Sequence, residues 1–159
     1  MVIPITADRD KSIKLINQAN KGSKVIGVVS QKDEAVESPM QDDINHIGTV
    51  ARILRVLKMP DGNTTVIIQG KKRFEVDQIQ QEEPYLKATI KDVQETRPEP
   101  NNSEFRAIID SIKELALEII KDSPNIPSEA SFAIKNIESS SFLINFVGSN
   151  LNIPVAEKQ

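Results

Sequence analysis

The sequence predicts an α+β protein in which a β-rich lobe is followed by an α-helical lobe. Three observations carry this. Short β-branched runs separated by turn signals occupy most of the first hundred residues. A stretch rich in proline and asparagine, with Pro98, Pro100, Asn101 and Asn102, then interrupts the pattern. After it, apolar residues recur at helical spacing. The expected organisation is a β-rich lobe with one helix over 1–97, a linker over 98–102, and a helical lobe over 103–159 that ends at the start of a further helix.

The elements follow in order. "ADRDKSIKLINQANKG" reads as a helix: Asp8 can cap it, Ile13, Ile16 and Ala19 share a face, and Gly22 can end it. "KVIGVVSQ" is a continuous β-branched run, expected to be a strand buried on both faces. "QKDEAVESPMQDD" is polar, contains Pro39, and reads as a surface loop. Two β-rich runs then flank Met59-Pro60-Asp61-Gly62-Asn63, where Pro60 presets a turn and Gly62 or Asn63 can take a positive φ. "TTVIIQ" leads to Gly70-Lys71-Lys72-Arg73, read as a glycine-relieved turn carrying solubilising cations. Phe74, Val76 and Ile79 begin another alternating strand, and "PYLKATIKDV" alternates again, with Leu86, Ala88 and Ile90 on one side. These short strands suggest a small antiparallel barrel or sandwich.

In the second lobe, Phe105, Ile108, Ile109, Ile112, Leu115, Ala116 and Ile119 predict an amphipathic helix over 104–122, with Ser103 as cap, Ile112 central in its buried stripe, and Pro124 and Pro127 as stops. Two shorter helices opened by serine follow in "SEASFAIKNIE" and "SSFLINFVGSNL", and Pro154 marks the first turn of another.

Composition narrows the function classes. Hydrophobic residues make up 38% and charged residues 27%, as in an ordinary soluble globular protein. No apolar run approaches the roughly 20 residues that cross a bilayer. "MVIPITADRD" has no basic leader, and Pro4 breaks its apolar run, so it does not read as a signal peptide. No cysteine is present, so disulfides and thiolate metal sites are excluded. The expected location is the cytoplasm, with no membrane partner. The net charge of −3 argues against nucleic acid as the main partner.

Candidate chemistry is sparse. His46 is the single histidine and has no metal-spaced partner. Asp42, Asp43 and His46 read as a solvated acidic loop rather than a metal site. No serine sits on a glycine-flanked elbow. Gly70-Lys71 follows a strand, but Lys72 stands where a phosphate-binding loop needs serine or threonine, and a strand rather than a helix follows. The expectation is therefore no catalytic, cofactor-binding or metal-binding residue in this chain.

The order of motifs nonetheless resembles a known family. Gly48, Thr49 and Ala51, then Pro60, Asp61 and Gly62, then Val66, then Gly70, Arg73 and Phe74 follow the pattern of the amino-terminal domain of the ATP-dependent Lon protease family. "GVVSQKD", "VIPITADRDKSIKLINQA" and "EPYLKATI" also resemble that domain, and the likeness covers essentially the whole chain. It differs in lacking the leading Pro-Leu-Arg and Phe-Pro-Gly strand, and the sequence reads as an excised fragment. The resemblance implies a PUA-like pseudo-barrel followed by helices. It implies a non-catalytic role in substrate recognition and assembly, binding unfolded or damaged polypeptides for degradation. The parent would be an ATP-dependent serine endopeptidase with a Ser-Lys dyad and an AAA+ ATPase, using ATP and Mg. Its other subunits, in a homo-oligomer expected to be a hexamer, would be further partners. Exposed apolar residues beside turns are the candidate substrate contacts: Leu57 and Met59 at the hairpin, Tyr85 and Leu86 after Pro84. The alternative is a small β-barrel that binds RNA.

Overall fold

The computed structural model describes residues 1–60, 62–94, 96, 98–99, 101–122 and 129–158. It divides into two compact units, one within residues 1–94 and one within 95–158.

The first unit is an antiparallel sheet of β1 (Val2–Ala7), β2 (Val25–Gln31), β3 (Ile44–Lys58), β4 (Thr64–Gln81) and β5 (Lys87–Asp92), with helix α1 (Asp10–Lys21) between β1 and β2. The strand order is β1-β4-β3-β2, and β5 also pairs with β4. β4 is long enough to take β1 along 64–69 and β5 along 74–81. Two apolar clusters result. Ala51, Ile53, Val66 and Ile68 pack with Ala7 and with Ile16 of α1, while Ile44, Phe74 and Val76 form a second cluster. Side chains such as Ile53 and Val66, almost wholly enclosed, each contribute about 1.5–3 kcal/mol of burial.

Several local expectations give way to tertiary structure. Gly70–Arg73 is not a turn: β4 runs through it as one 18-residue strand, and Lys71 is the extra residue of a bulge between Val50 and Ala51 of β3. β2 is a sheet edge that pairs with β3 among the described strands, so Val25 is exposed rather than buried on both faces. β5 alternates in sequence, yet every one of its residues is exposed. Arg9, not Asp8, is the residue before α1, and it caps through no side-chain bond. Its guanidinium instead donates to Gln31 Oε1 at 2.9 Å and to the carbonyl of Glu34 at 3.4 Å, fastening the following loop. Gly22 does close α1, its N–H reaching the Ala19 carbonyl at 3.1 Å. The hairpin forms where expected. Met59 N–H donates to the Asn63 carbonyl at 2.9 Å, and Gly62 has φ +90°. Asp61 of that motif lies outside the described residues.

The second unit contains α2 (Ser103–Asp122), α3 (Glu129–Lys135), α4 (Ser140–Asn150) and a single turn, α5 (Val155–Lys158). Asn102 rather than Ser103 caps α2, its Oδ1 accepting from Phe105 N–H at 2.9 Å. Ser139 caps α4 through Phe142 N–H at 3.2 Å. The core here is Ile109, Ile134 and Leu143, with Phe105, Ile112, Ala116 and Leu117 packed around it. Ile109, not Ile112, is therefore the buried centre of α2. Ile108, Leu115 and Ile119 are exposed. The expected stops Pro124 and Pro127, and Ser128 at the start of the next helix, lie outside the described residues.

Candidate functional site

The candidate contacts fall on two surfaces of the first unit. Leu57 and Met59 belong to the outer face of the β1–β4–β3 ladder. Its inner face carries Ile53, Val66 and Ile68, so strand alternation turns Thr65, Ile67 and Gln69 outward. Across from them on β1 stand Thr6, Pro4 and Val2, and on β3 stand Leu57, Arg55 and Arg52. Thr6 and Thr65 share a hydroxyl–hydroxyl bond of 3.1 Å, which fixes this row. The register slips between Ile53 and Arg55, so Leu54 and Arg55 together oppose Ile67. That bulge places Leu54 on the outside beside Leu57. The result is an apolar surface in which Val2 is 51%, Leu54 50%, Leu57 41% and Met59 44% exposed. Arg52, Arg55 and Lys58 border it and are exposed too. None of the three has an ion pair or hydrogen bond to another described side chain.

Tyr85 and Leu86 lie elsewhere, on an open trough of 1430 Å³ bounded by β2 and β5 and floored by Phe74, Val76 and Ile79. Tyr85 is buried, Gln81 Nε2 donates to its carbonyl at 3.2 Å, and Lys87 Nζ stands 5.5 Å from its ring centroid. Leu57 and Met59 are not among the trough's lining residues. The structure thus keeps each candidate pair together but does not join the two pairs. Val2, Leu54, Ile67, Arg52 and Arg55 escaped the sequence reading. Strict alternation in "ARILRVLK" sets Arg52 and Arg55, three residues apart, on opposite faces, and the bulge at Leu54 that turns both outward depends on β4.

The residues weighed for metal or phosphate have structural work or open surroundings. Asp43 Oδ2 accepts from Met40 N–H at 2.9 Å, and Lys32 Nζ donates to the Asp42 carbonyl at 2.8 Å. His46 is exposed on β3. Lys72 pairs with Asp92 at 2.6 Å across the β4–β5 ladder. Among the described residues no group of three or more His, Cys, Asp or Glu is placed to hold a metal. No described helix is long and apolar enough to cross a membrane. Beside these, the cross-strand pair Lys91–Asp77 at 2.5 Å holds the Asp77 carboxyl below its ordinary range, chiefly by its hydrogen bond, and raises Lys91.

An open-faced antiparallel sheet and a helical unit define an α+β module that exposes apolar side chains on both, Val2, Leu54 and Leu57 on strands and Ile108, Leu115, Ile119 and Phe132 on helices. A solved structure, the N-terminal domain of a Mycobacterium avium complex Lon protease, has the same fold. Its TM-score is 0.76 at 21% identity, over 99% of this chain and 78% of that one. The family model for the ATP-dependent protease La (LON) substrate-binding domain matches residues 1–159, and the chain belongs to that family. It is 72% identical to a Lon protease of Flavobacterium johnsoniae over its full length, and 45% identical to one of Cytophaga hutchinsonii. It spans 20% of the length of each.

Proposed function

We propose that this chain binds unfolded or damaged polypeptides for a parent ATP-dependent serine protease, and that the outer face of the β1–β4–β3 ladder is the contact surface. The carrying observation is the cluster of exposed apolar side chains there: Val2, Leu54, Leu57 and Met59. Exposed apolar residues on one strand face, continuous with a hairpin tip, give an unfolded segment somewhere to bury its own apolar side chains without sequence-specific pairing. Met59 adds a flexible, polarizable contact that adapts to varied partners. Binding in this reading is weak and tolerant of sequence, as suits a step that only captures and delivers.

The chemistry of cleavage belongs, in this proposal, to the rest of the parent: an AAA+ ATPase using ATP and Mg, and a Ser-Lys peptidase site. The parent works as a homo-oligomer, a hexamer, in the cytoplasm, and its neighbouring subunits are further partners of this chain. The 159-residue chain by itself then neither hydrolyses ATP nor cleaves protein. The test is binding of a fluorescent, permanently unfolded protein to the chain. Leu57→Asp and Met59→Asp are expected to weaken it with an unchanged unfolding midpoint. Unaltered binding in both, with the fold intact, would reject this face. Cleavage of casein by the pure chain, abolished by a point mutation within it, would reject the non-catalytic role.

A further inference from the structure

We propose that the polypeptides favoured by this chain carry acidic residues next to their apolar ones, and that Arg52 and Arg55 make the selection. This rests on the reading of the β1–β4–β3 face as the polypeptide contact. Among the residues of 2–7, 49–58 and 64–69 that the register turns outward, the cations are Arg52 and Arg55 and none is Asp or Glu; Lys58, opposite the buried Thr64, adds a third cation at the end of β3. The whole chain, by contrast, carries 20 cations and 23 acids. The face is therefore a local positive strip on a protein of net charge −3.

The cations alternate with the apolar contacts. Along β3 the outward order is Arg52, then Leu54 with Arg55, then Leu57, with Ile67 and Pro4 opposite Arg55 on the neighbouring strands. Side chains on one face of an extended segment recur about every 6.6–6.8 Å. A bound segment that sets a Leu or Phe against Leu54 or Leu57 therefore brings its adjacent residues within reach of a guanidinium. Glutamate or aspartate there meets a planar donor fork with no ion-pair partner among the described residues to displace. Lysine or arginine there meets like charge, which repels it. At physiological salt the screening length is about 8 Å, so only residues close to the contact are read, not the net charge of the substrate.

The experiment uses three labelled peptides of twelve residues with the same leucine and phenylalanine positions and with Glu, Gln or Lys between them. Affinity for the chain is expected to fall in the order Glu, Gln, Lys, by about three- to tenfold per step, as suits one or two exposed charge pairs. The differences should shrink in about 0.5 M salt. The double variant Arg52→Glu/Arg55→Glu should reverse the order. Both positions are exposed, so the variant should stay folded, and its unfolding midpoint verifies this. Arg52→Gln/Arg55→Gln, which flattens the order without reversing it, gives the same answer if the reversed variant fails to fold. Equal binding of all three peptides, still lost in Leu57→Asp, overturns the charge selection and leaves the polypeptide surface standing. No binding of any peptide overturns both. A single-stranded oligonucleotide that binds more tightly than the Glu peptide and competes with it also overturns the proposal, in favour of a nucleic-acid face.

Discussion

Gly48→Ala adds one methyl group at a position where the fold has no room for it. Gly48 lies opposite Val29 on β2 and opposite Phe74 on β4. A Cβ there would stand 2.6 Å from the Phe74 ring, 2.7 Å from a Val29 methyl and 2.9 Å from the Val28 carbonyl oxygen. The third contact is backbone, so a rotamer change alone does not relieve the clash, and β2 must move. Overpacking of this kind costs about 1–3 kcal/mol. Replacing glycine within a strand returns about 0.5–1 kcal/mol of chain entropy. The net expectation, from the middle of both ranges, is a loss of about 1 kcal/mol. Tyr85 is the only tyrosine, there is no tryptophan, and Tyr85 is buried in the first unit, so its emission during urea unfolding follows that unit. Phe74→Leu introduced with Gly48→Ala should recover part of the loss, because it clears the ring but not the carbonyl. The mirror experiment is Gly148→Ala in α4, where an added Cβ meets nothing within 4 Å. That change should stabilise the helical unit by about 0.5–1 kcal/mol. Unchanged or increased stability in Gly48→Ala would refute the packing argument, as would additive effects in the double variant.

The remaining expectations concern other parts of the molecule. Ile109→Ala removes the buried centre of α2 beside Ile134 and Leu143 and should cost about 2–4 kcal/mol by helical circular dichroism, while Ile112→Ala, only partly buried, should cost less. The reverse ranking would show that the α2 core is misassigned. Asp77 has a lowered folded pKa, so its pairing with Lys91 contributes stability that is present above the ordinary carboxylate pKa and is lost as pH falls through the lowered folded value. Melting of Asp77→Asn should therefore differ from the parent chain at neutral pH and converge with it in acid; a difference that persists at low pH would assign the effect to packing rather than charge. Glu83 is lowered in the same sense by its hydrogen bond to Lys11, and Glu83→Gln should behave alike.

What the sequence determined by itself is local. Pro60 and Gly62 announce the hairpin because their backbone preferences act within four residues, and Met59 and Asn63 close it. Gly22 ends α1 for the same kind of reason. The long helix after the Pro-Asn stretch is legible because its apolar residues repeat at 3.6. The order of weak motifs along 1–159 carried the family. Tertiary structure alone decided the rest. A glycine followed by three cations suits a turn as well as a bulge, and only the pairing of Gly70 with Ala51 and of Lys72 with Val50 keeps β4 continuous. Alternation marks β5 as a strand but cannot say that neither of its faces is covered. α2 carries more apolar residues than one face can bury, so the packing of α3 and α4 selects Ile109 over Ile112. Leu57 could have been core or surface from its sequence alone. It is surface because the slip at Leu54 sets it opposite Thr65 rather than opposite the buried Thr64. Register is a relation between strands, and a one-residue slip exchanges the two faces of a strand.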